Sequence, residues 1–394
     1  ASVPGYPGTR RRLMNDSLPI PGRVRAASIS VAPMMDCTDR HCRYFLRLLS
    51  PRIRLYTEMI TAAAIVRGDA RRWLRFDPAE HPVAIQLGGS DPGLLAAAAR
   101  LATAEGYDEI NLNAGCPSER VSEGAFGACL MKSPRLVAEC VSAMRAVTPL
   151  PVTVKTRIGV DDRDDYGFVR DFVGVVAAAG CDTFVIHARK AYLAGLSPKE
   201  NRTIPPLRHD IVYQLRRDFP GLELIINGGI ETEAGIRQQL AAGLDGVMIG
   251  RKAYADPWWL TEVDRLFLAD GATTPLTTRP IVVAAMAAYA RREGGGGTRL
   301  HHVSRHLLGL YHGQPGARIW RRSLTLGAAR PNAGPDVLLE ALDQVEGPDR
   351  KRGDLLLLAP VVRNRKGFHS DVAEWAARHG YQELRADGKL FETN

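Results

Sequence analysis

Residues 111–120, NLNAGCPSER, alternate apolar and polar and then stop at Gly-Cys-Pro. A buried structural cysteine needs no such punctuation. A thiol presented at a strand end, as Cys116 would be, can give a proton to carbon while a hydride arrives on the neighbouring carbon. Two further runs end in chemistry of their own: PVTVKTRIG carries Lys155 and Arg157, and TFVIHARK carries His187 and Arg189. An ammonium stabilises a developing anion, and an imidazole can hold a phosphate or a ring. Gln86 in PVAIQLGG and Asn113 beside the cysteine add amide donors and acceptors. Asn227-Gly228-Gly229 and Gly250-Arg251 offer backbone N–H groups at close approach, with a guanidinium able to grip an anion bidentately.

Side chains so far apart in the chain converge only if the strands that carry them lie side by side. Eight β-rich runs are legible, at 29–35, 54–60, 82–89, 109–117, 151–159, 183–190, 222–230 and 246–254, with helix-like stretches at 91–105, 134–147, 167–179 and 232–242 between them. The strands are near-continuous apolar runs, the mark of strands covered on both faces. Alternating β/α units in this number predict an α/β fold, a (β/α)8 TIM barrel over 28–268. A doubly wound sheet is the second reading, and eight evenly spaced units exceed what such sheets need. In a barrel the C-terminal strand ends form the active face, and the loops after strands seven and eight cradle phosphate. Every residue named above then falls on one rim.

That rim suits a flavin. Its ring needs donors to the pyrimidine edge and a cation near N1 and C2=O to stabilise the reduced anion. Gln86 can pair with the edge, Lys155 supplies the charge, and Pro33 and Met34, after the first strand, can line the ring. No GxGxxG follows a strand, so a nicotinamide would act as a transient reductant rather than a resident cofactor.

Charge and composition narrow the class. The net charge is +9, and between Arg291 and Arg330 eight arginines face a single acid, Glu293. This basic patch favours an acidic partner, nucleic acid above all. It falls in a helix-patterned region, 269–345, punctuated by Gly294–Gly297 and the Gly/Pro breaks at 313–316 and 334–335. Arg318 and Arg321, three apart, would share a helix face toward phosphates. The six cysteines form no CxxC pair, which suits a reducing cytoplasm and argues against structural zinc. His302 and His306 have the spacing of a helical metal pair but no third ligand, so no metal is expected. No apolar run is long enough to cross a membrane. Residues 1–27 read as a mobile leader without a secretory pattern.

At this point the chain resembles the tRNA-dihydrouridine synthases, and within them the A subgroup. The resemblance is carried by VAPMMDCTDRHCRYF (31–45), AIQLGGSDP (84–92), NLNAGCPSERVSEGAFGACLM (111–131), VKTRIGVDD (154–162), IHARKAYLAGLSPKENRTIPPL (186–207), INGGI (226–230), GVMIGRKAY (246–254) and HLLGLYHGQPGARIWRR (306–322). It covers roughly 28–345. It implies an FMN enzyme with a barrel and a helical RNA-binding domain, in which NADPH reduces the flavin and hydride passes to C6 of a D-loop uracil, at positions 20 and 20a. Cys116 would protonate C5. FMN ligands would be Pro33, Met34, Met35, Gln86, Lys155, His187, Asn227, Gly228, Gly229, Gly250 and Arg251. Lys199, Arg202, Arg318 and Arg321 would contact tRNA, and Asn113 would hydrogen-bond the flipped uracil. Cys37 stands where the family often has tryptophan. A monomer is the expected state.

The last residues depart from this pattern. LLLLAPVVRNRKGFH and RADGKLFE, within 346–394, resemble an internal piece of the excinuclease A subunit, read as strand, loop, amphipathic helix, strand. No GxxxxGK[ST] is present, so no ATPase follows. Genuine fusion and frame accident stay open as its origin, and the tail is expected to be dispensable. Two other functions compete: a small-molecule FMN barrel such as dihydroorotate dehydrogenase, and a non-catalytic RNA-binding protein with a dead barrel. The first needs no basic helical domain, and the second has no need of Cys116, Lys155 and His187.

Overall fold

Each β-rich run folds as a short strand that ends where its polar residues begin. The computed structural model describes residues 28–118, 126–269 and 277–347, and two later strands. The strands are β1 Ser28–Val31, β2 Leu55–Thr61, β3 Val83–Gly88, β4 Glu109–Ala114, β5 Val152–Arg157, β6 Thr183–His187, β7 Glu223–Asn227 and β8 Gly246–Ile249. All pair in parallel, β2 through β8 in chain order and β8 with β1. A parallel bridge from Ser30 to Arg54, with Val31 N–H donating to Arg54 O at 2.9 Å, closes the ring. This is the expected (β/α)8 barrel.

The chain re-enters a helix after most strands, and side-chain caps start those turns. Asp91, Asp165 and Thr232 accept from backbone N–H groups of Pro92–Glu105, Tyr166–Ala178 and Glu233–Ala241 respectively. Pro134–Arg145 completes the four helices legible in the sequence. Four more, Arg40–Leu49, Ala62–Arg67, Ala70–Leu74 and His209–Asp218, lie in stretches with no such reading.

The register sets what fills the barrel. Ala84 pairs with Glu109, Asn111 with Thr153, Lys155 with Val185, and His187 with Asn227. Alternate residues of each strand therefore face the axis together. One layer is apolar: Ala32, Tyr56, Ala84, Val185, Ile225 and Met248, with Met34 packed against it. Gly246 is required there, since a Cβ would lie 2.2 Å from Ser28 O.

After β8 come helices Arg251–Ala255, Trp259–Phe267, Arg279–Gly295, Leu300–Ser304, Ala317–Ala328 and Asp336–Glu346. Contacts divide the chain into two compact units, meeting between Leu342 and Asp343. In the second, Glu383–Ala386 and Lys389–Glu392 pair antiparallel. The leader expected over 1–27, the tail's other elements and Glu119–Arg120 of the opening motif lie outside the described residues. Among the described residues, no helix is long and apolar enough to cross a membrane.

Candidate active site at the barrel mouth

A cleft opens at the C-terminal ends of the strands. Of the residues singled out in the sequence, Pro33, Met34, Met35, Gln86, Asn113, Cys116, Lys155, His187, Asn227, Gly228, Gly229, Gly250 and Arg251 all line it. Arg202, expected on an RNA-binding face, lines it too. Lys199 is exposed and does not line it, and Arg318 and Arg321 are exposed on Ala317–Ala328 and take no part in the cleft.

Cys116 sits on a turn that its own strand holds in shape. Asn113 Oδ1 accepts from Gly115 N–H at 3.0 Å and from Cys116 N–H at 2.9 Å. Its Nδ2 donates to Gln86 Oε1 at 2.8 Å, which leaves one amide N–H uncommitted. Gly115 passes so close to β5 that a Cβ would sit 3.2 Å from Thr156 C. The other thiols differ. Cys42, Cys140 and Cys181 are buried, and burial pushes the last two up to about 12. Cys129 is half-buried and donates to Phe126 O at 3.0 Å.

Arg157 had no assigned role in the sequence reading, although it follows Lys155 by two and so shares its face. It is buried, and among the described residues it has no carboxylate partner. Its Nε donates to Gly115 O at 2.9 Å, and its Nη1 to Lys190 O at 2.9 Å and Asn201 O at 3.0 Å. It thus ties the cysteine turn to the loop after β6. Asn201 extends the tie, accepting from Tyr192 N–H at 2.8 Å and donating to Tyr192 O at 3.0 Å.

The mouth is strongly cationic. Lys155, Arg157, Arg202, Arg251 and Lys252 line it, and Glu231 is the one carboxylate among the described lining residues. Lys252 is paired with Asp256 at 2.9 Å. Among the described residues, Lys155 Nζ meets only the neutral Asn227 Oδ1, at 3.2 Å. Burial, with Arg157 and Arg202 adding repulsion, draws Lys155 down to about 7. Burial and the charges of Arg157 and Lys155 hold His187 well below its usual range, as a neutral imidazole. Such a cluster can take an anion.

The turn after β7 can only be glycine. Gly228 has φ +110°, and a Cβ there would meet His187 Cδ2 at 2.7 Å. Gly229 has φ +72°, and its Cβ would strike Leu207 Cδ1 at 2.4 Å. His306, read as half of a possible metal pair, is instead buried between Asp39 Oδ1 at 3.0 Å and Tyr254 OH at 3.2 Å.

The fold and this mouth define a (β/α)8-barrel enzyme that sets a thiol beside a site for an anion. The chain belongs to the dihydrouridine synthase family, a family of flavin oxidoreductases, which it matches over residues 30–346. A tRNA-dihydrouridine(20/20a) synthase of Vibrio cholerae is 55% identical over 320 residues, covering 80% of this chain and 96% of that one. The enzyme of the same name from Escherichia coli K12 is 56% identical over 318 residues, covering 80% and 91%. That of Salmonella typhimurium is 56% identical over 321 residues, covering 81% and 96%. Residues 341–394 match a UvrA interaction domain, in keeping with the resemblance of the tail.

Proposed function

We propose that this protein reduces uridine in the D-loop of tRNA, at positions 20 and 20a, to 5,6-dihydrouridine, with bound FMN recharged by NADPH. The observation that carries the reading is the convergence of Cys116, Lys155, His187 and the Gly228–Gly229 turn on one cationic mouth. The names of the relatives support tRNA as the substrate and the two positions.

The residues present fit FMN. A dianionic phosphate and a ring that becomes anionic on reduction answer the excess of cations over carboxylate. Pro33, Met34 and Met35 would line the ring, Gln86 would meet its edge, and Lys155 would face its developing charge. His187, Asn227, Gly228, Gly229, Gly250 and Arg251 would hold the remainder, with the phosphate against the two glycine turns. When bound, the reduced flavin supplies the hydride for C6 of the uracil.

Cys116 delivers the proton from Sγ to C5. Asn113 keeps the thiol's turn in shape, and its uncommitted N–H is a donor for a uracil carbonyl. The uracil must leave its stack to reach this depth. Lys199, Arg202, Arg318 and Arg321 would bind phosphates of the tRNA, and the enzyme would work as a cytoplasmic monomer. The helical region after β8, over 269–345, would be the tRNA-binding domain.

The test is dihydrouridine content of unmodified tRNA after incubation with the protein, FMN and NADPH. The wild type is expected to form it, and Cys116→Ala to lose at least about a hundredfold in rate while staying yellow. Turnover of free uracil compounds without RNA would replace this reading with a small-molecule reductase. A colourless, inert protein would replace it with a dead barrel.

A further inference from the structure

Glu109 is out of character in the wall of a barrel. It opens β4 and is 2% exposed, yet it carries a carboxylate. Oε2 is paired with Arg54, and Oε1 accepts from Tyr56 OH and from Thr153 Oγ1, each at 2.7 Å. Thr153, having donated its proton, accepts from Asn111 Nδ2 at 2.7 Å. Asn111 Oδ1 accepts from Gln86 Nε2 at 2.7 Å. Gln86 Oε1 accepts from Asn113 Nδ2 at 2.8 Å, and Asn113 Oδ1 accepts from the Cys116 N–H. An unbroken chain of hydrogen bonds therefore runs from the foot of β4 to the turn that bears the thiol.

The two ends of this chain cannot be reversed. A backbone N–H only donates, and an ion-paired carboxylate only accepts. Each amide between them consequently has a single satisfied orientation, and an inverted amide would leave buried donors facing donors. We propose that Glu109 is a positioning residue for the active site. Together with the backbone N–H groups at the other end it holds the chain in one direction, and so the amide orientation of Gln86 and the shape of the Cys116 turn. The activity readout below rests on the proposed function, and the thiol readout does not.

Glu109→Gln turns a donor toward Thr153, so the two ends now demand opposite directions and a group between them loses its partner. Thr153→Val breaks the chain one link further on and leaves Arg54, Tyr56 and Glu109 together. Thr153→Ser keeps the hydroxyl, and Tyr56→Phe removes a donor to Glu109 that lies off the chain. The rate of iodoacetamide labelling of Cys116, followed by mass spectrometry of its peptide across pH, reads the turn directly. Glu109→Gln and Thr153→Val are expected to speed labelling several-fold, with Thr153→Ser and Tyr56→Phe at the wild-type rate. In dihydrouridine formation the first two should lower kcat roughly ten- to a hundredfold with KM for tRNA unchanged. Wild-type labelling in a folded Thr153→Val, or an equal rise in Tyr56→Phe, would overturn the proposal. Should Glu109→Gln fail to fold, the contrast of Thr153→Val with Thr153→Ser decides it. A wild type that forms no dihydrouridine would sink the functional reading and leave the labelling series valid.

Discussion

At the scale of single residues, the mouth is organised by charge that lacks a counterpart. Lys155 ordinarily titrates at 10.5 and here does so at about 7, chiefly because burial strips water from its ammonium. Between those pH values the unfolded chain binds a proton at this group that the native state does not. Its contribution to stability therefore rises with pH across that window and is lowest below 7. An anion beside Nζ removes the penalty and restores the proton. Binding of reduced, anionic FMN at pH 8 under anaerobic conditions should thus take up about one proton per site. Calorimetry in two buffers of different ionisation enthalpy measures it, with Lys155→Met expected to show almost none. No uptake in the wild type would mean that Lys155 does not face the anion.

At the scale of elements, the loops after the strands are held by backbone contacts as much as by side chains. Arg157 joins the end of β5 to the turns after β4 and β6 through three carbonyls, so these loops should shift as one. The Gly228–Gly229 turn leads from β7 into the mouth. Gly229→Ala places Cβ against Leu207 in a left-handed conformation, whereas Gly243→Ala, with φ +86° and no atom within 4 Å of the added Cβ, bears the backbone cost alone. That cost is about 1–2 kcal/mol. Thermal unfolding should show the smaller loss for Gly243→Ala and a larger one for Gly229→Ala, and only the latter should release flavin. Equal losses with flavin retained would show that the turn has slack.

Within the first unit of the whole molecule, the helices after β8 are fastened to the helix Arg40–Leu49 by ion pairs. Asp39 caps that helix, accepting from His41 N–H at 3.0 Å and Cys42 N–H at 2.9 Å, and also meets Arg305 at 2.6 Å and His306 at 3.0 Å. Glu293 is held by Arg40 and by Arg75. Burial alone would raise the Asp39 carboxyl, but its hydrogen bonds and charged partners outweigh that and hold it well below the usual range. A depressed carboxylate stabilises the fold above its unfolded value of 3.8 and loses that stabilisation as the pH falls below it. Asp39→Asn should therefore be less stable at neutral pH, with a flatter loss below pH 3.8, checked by urea unfolding at several pH values. Unchanged neutral stability would mean the ties are redundant. For the second unit, a chain ended after Gly347 is expected to form dihydrouridine at the full rate. A folded but inactive truncation would give the UvrA-like segment a role in the reaction.

How much of this was written in the chain follows from what a linear pattern can encode. Eight apolar runs, among them those leading to Cys116, Lys155, His187, Asn227 and Arg251, announced a barrel and the mouth these residues line, because strand alternation and the parallel β/α order are local and every such run ends on the same side. The glycines of INGGI were legible for the same reason. Tertiary structure decided which groups are spoken for. Asn113 read as a free amide, yet two backbone N–H groups and Gln86 claim most of it. Arg202 read as a surface cation and lines the mouth. His306 has the spacing of a metal pair with His302, where no metal is expected, and is the buried partner of Asp39. Glu109 gave no signal at all, since the links from it to Cys116 join residues 25 to 44 apart, except the last within one turn. Sequence periodicity states which face a residue occupies. The register between strands, which no single strand contains, states whom it meets there.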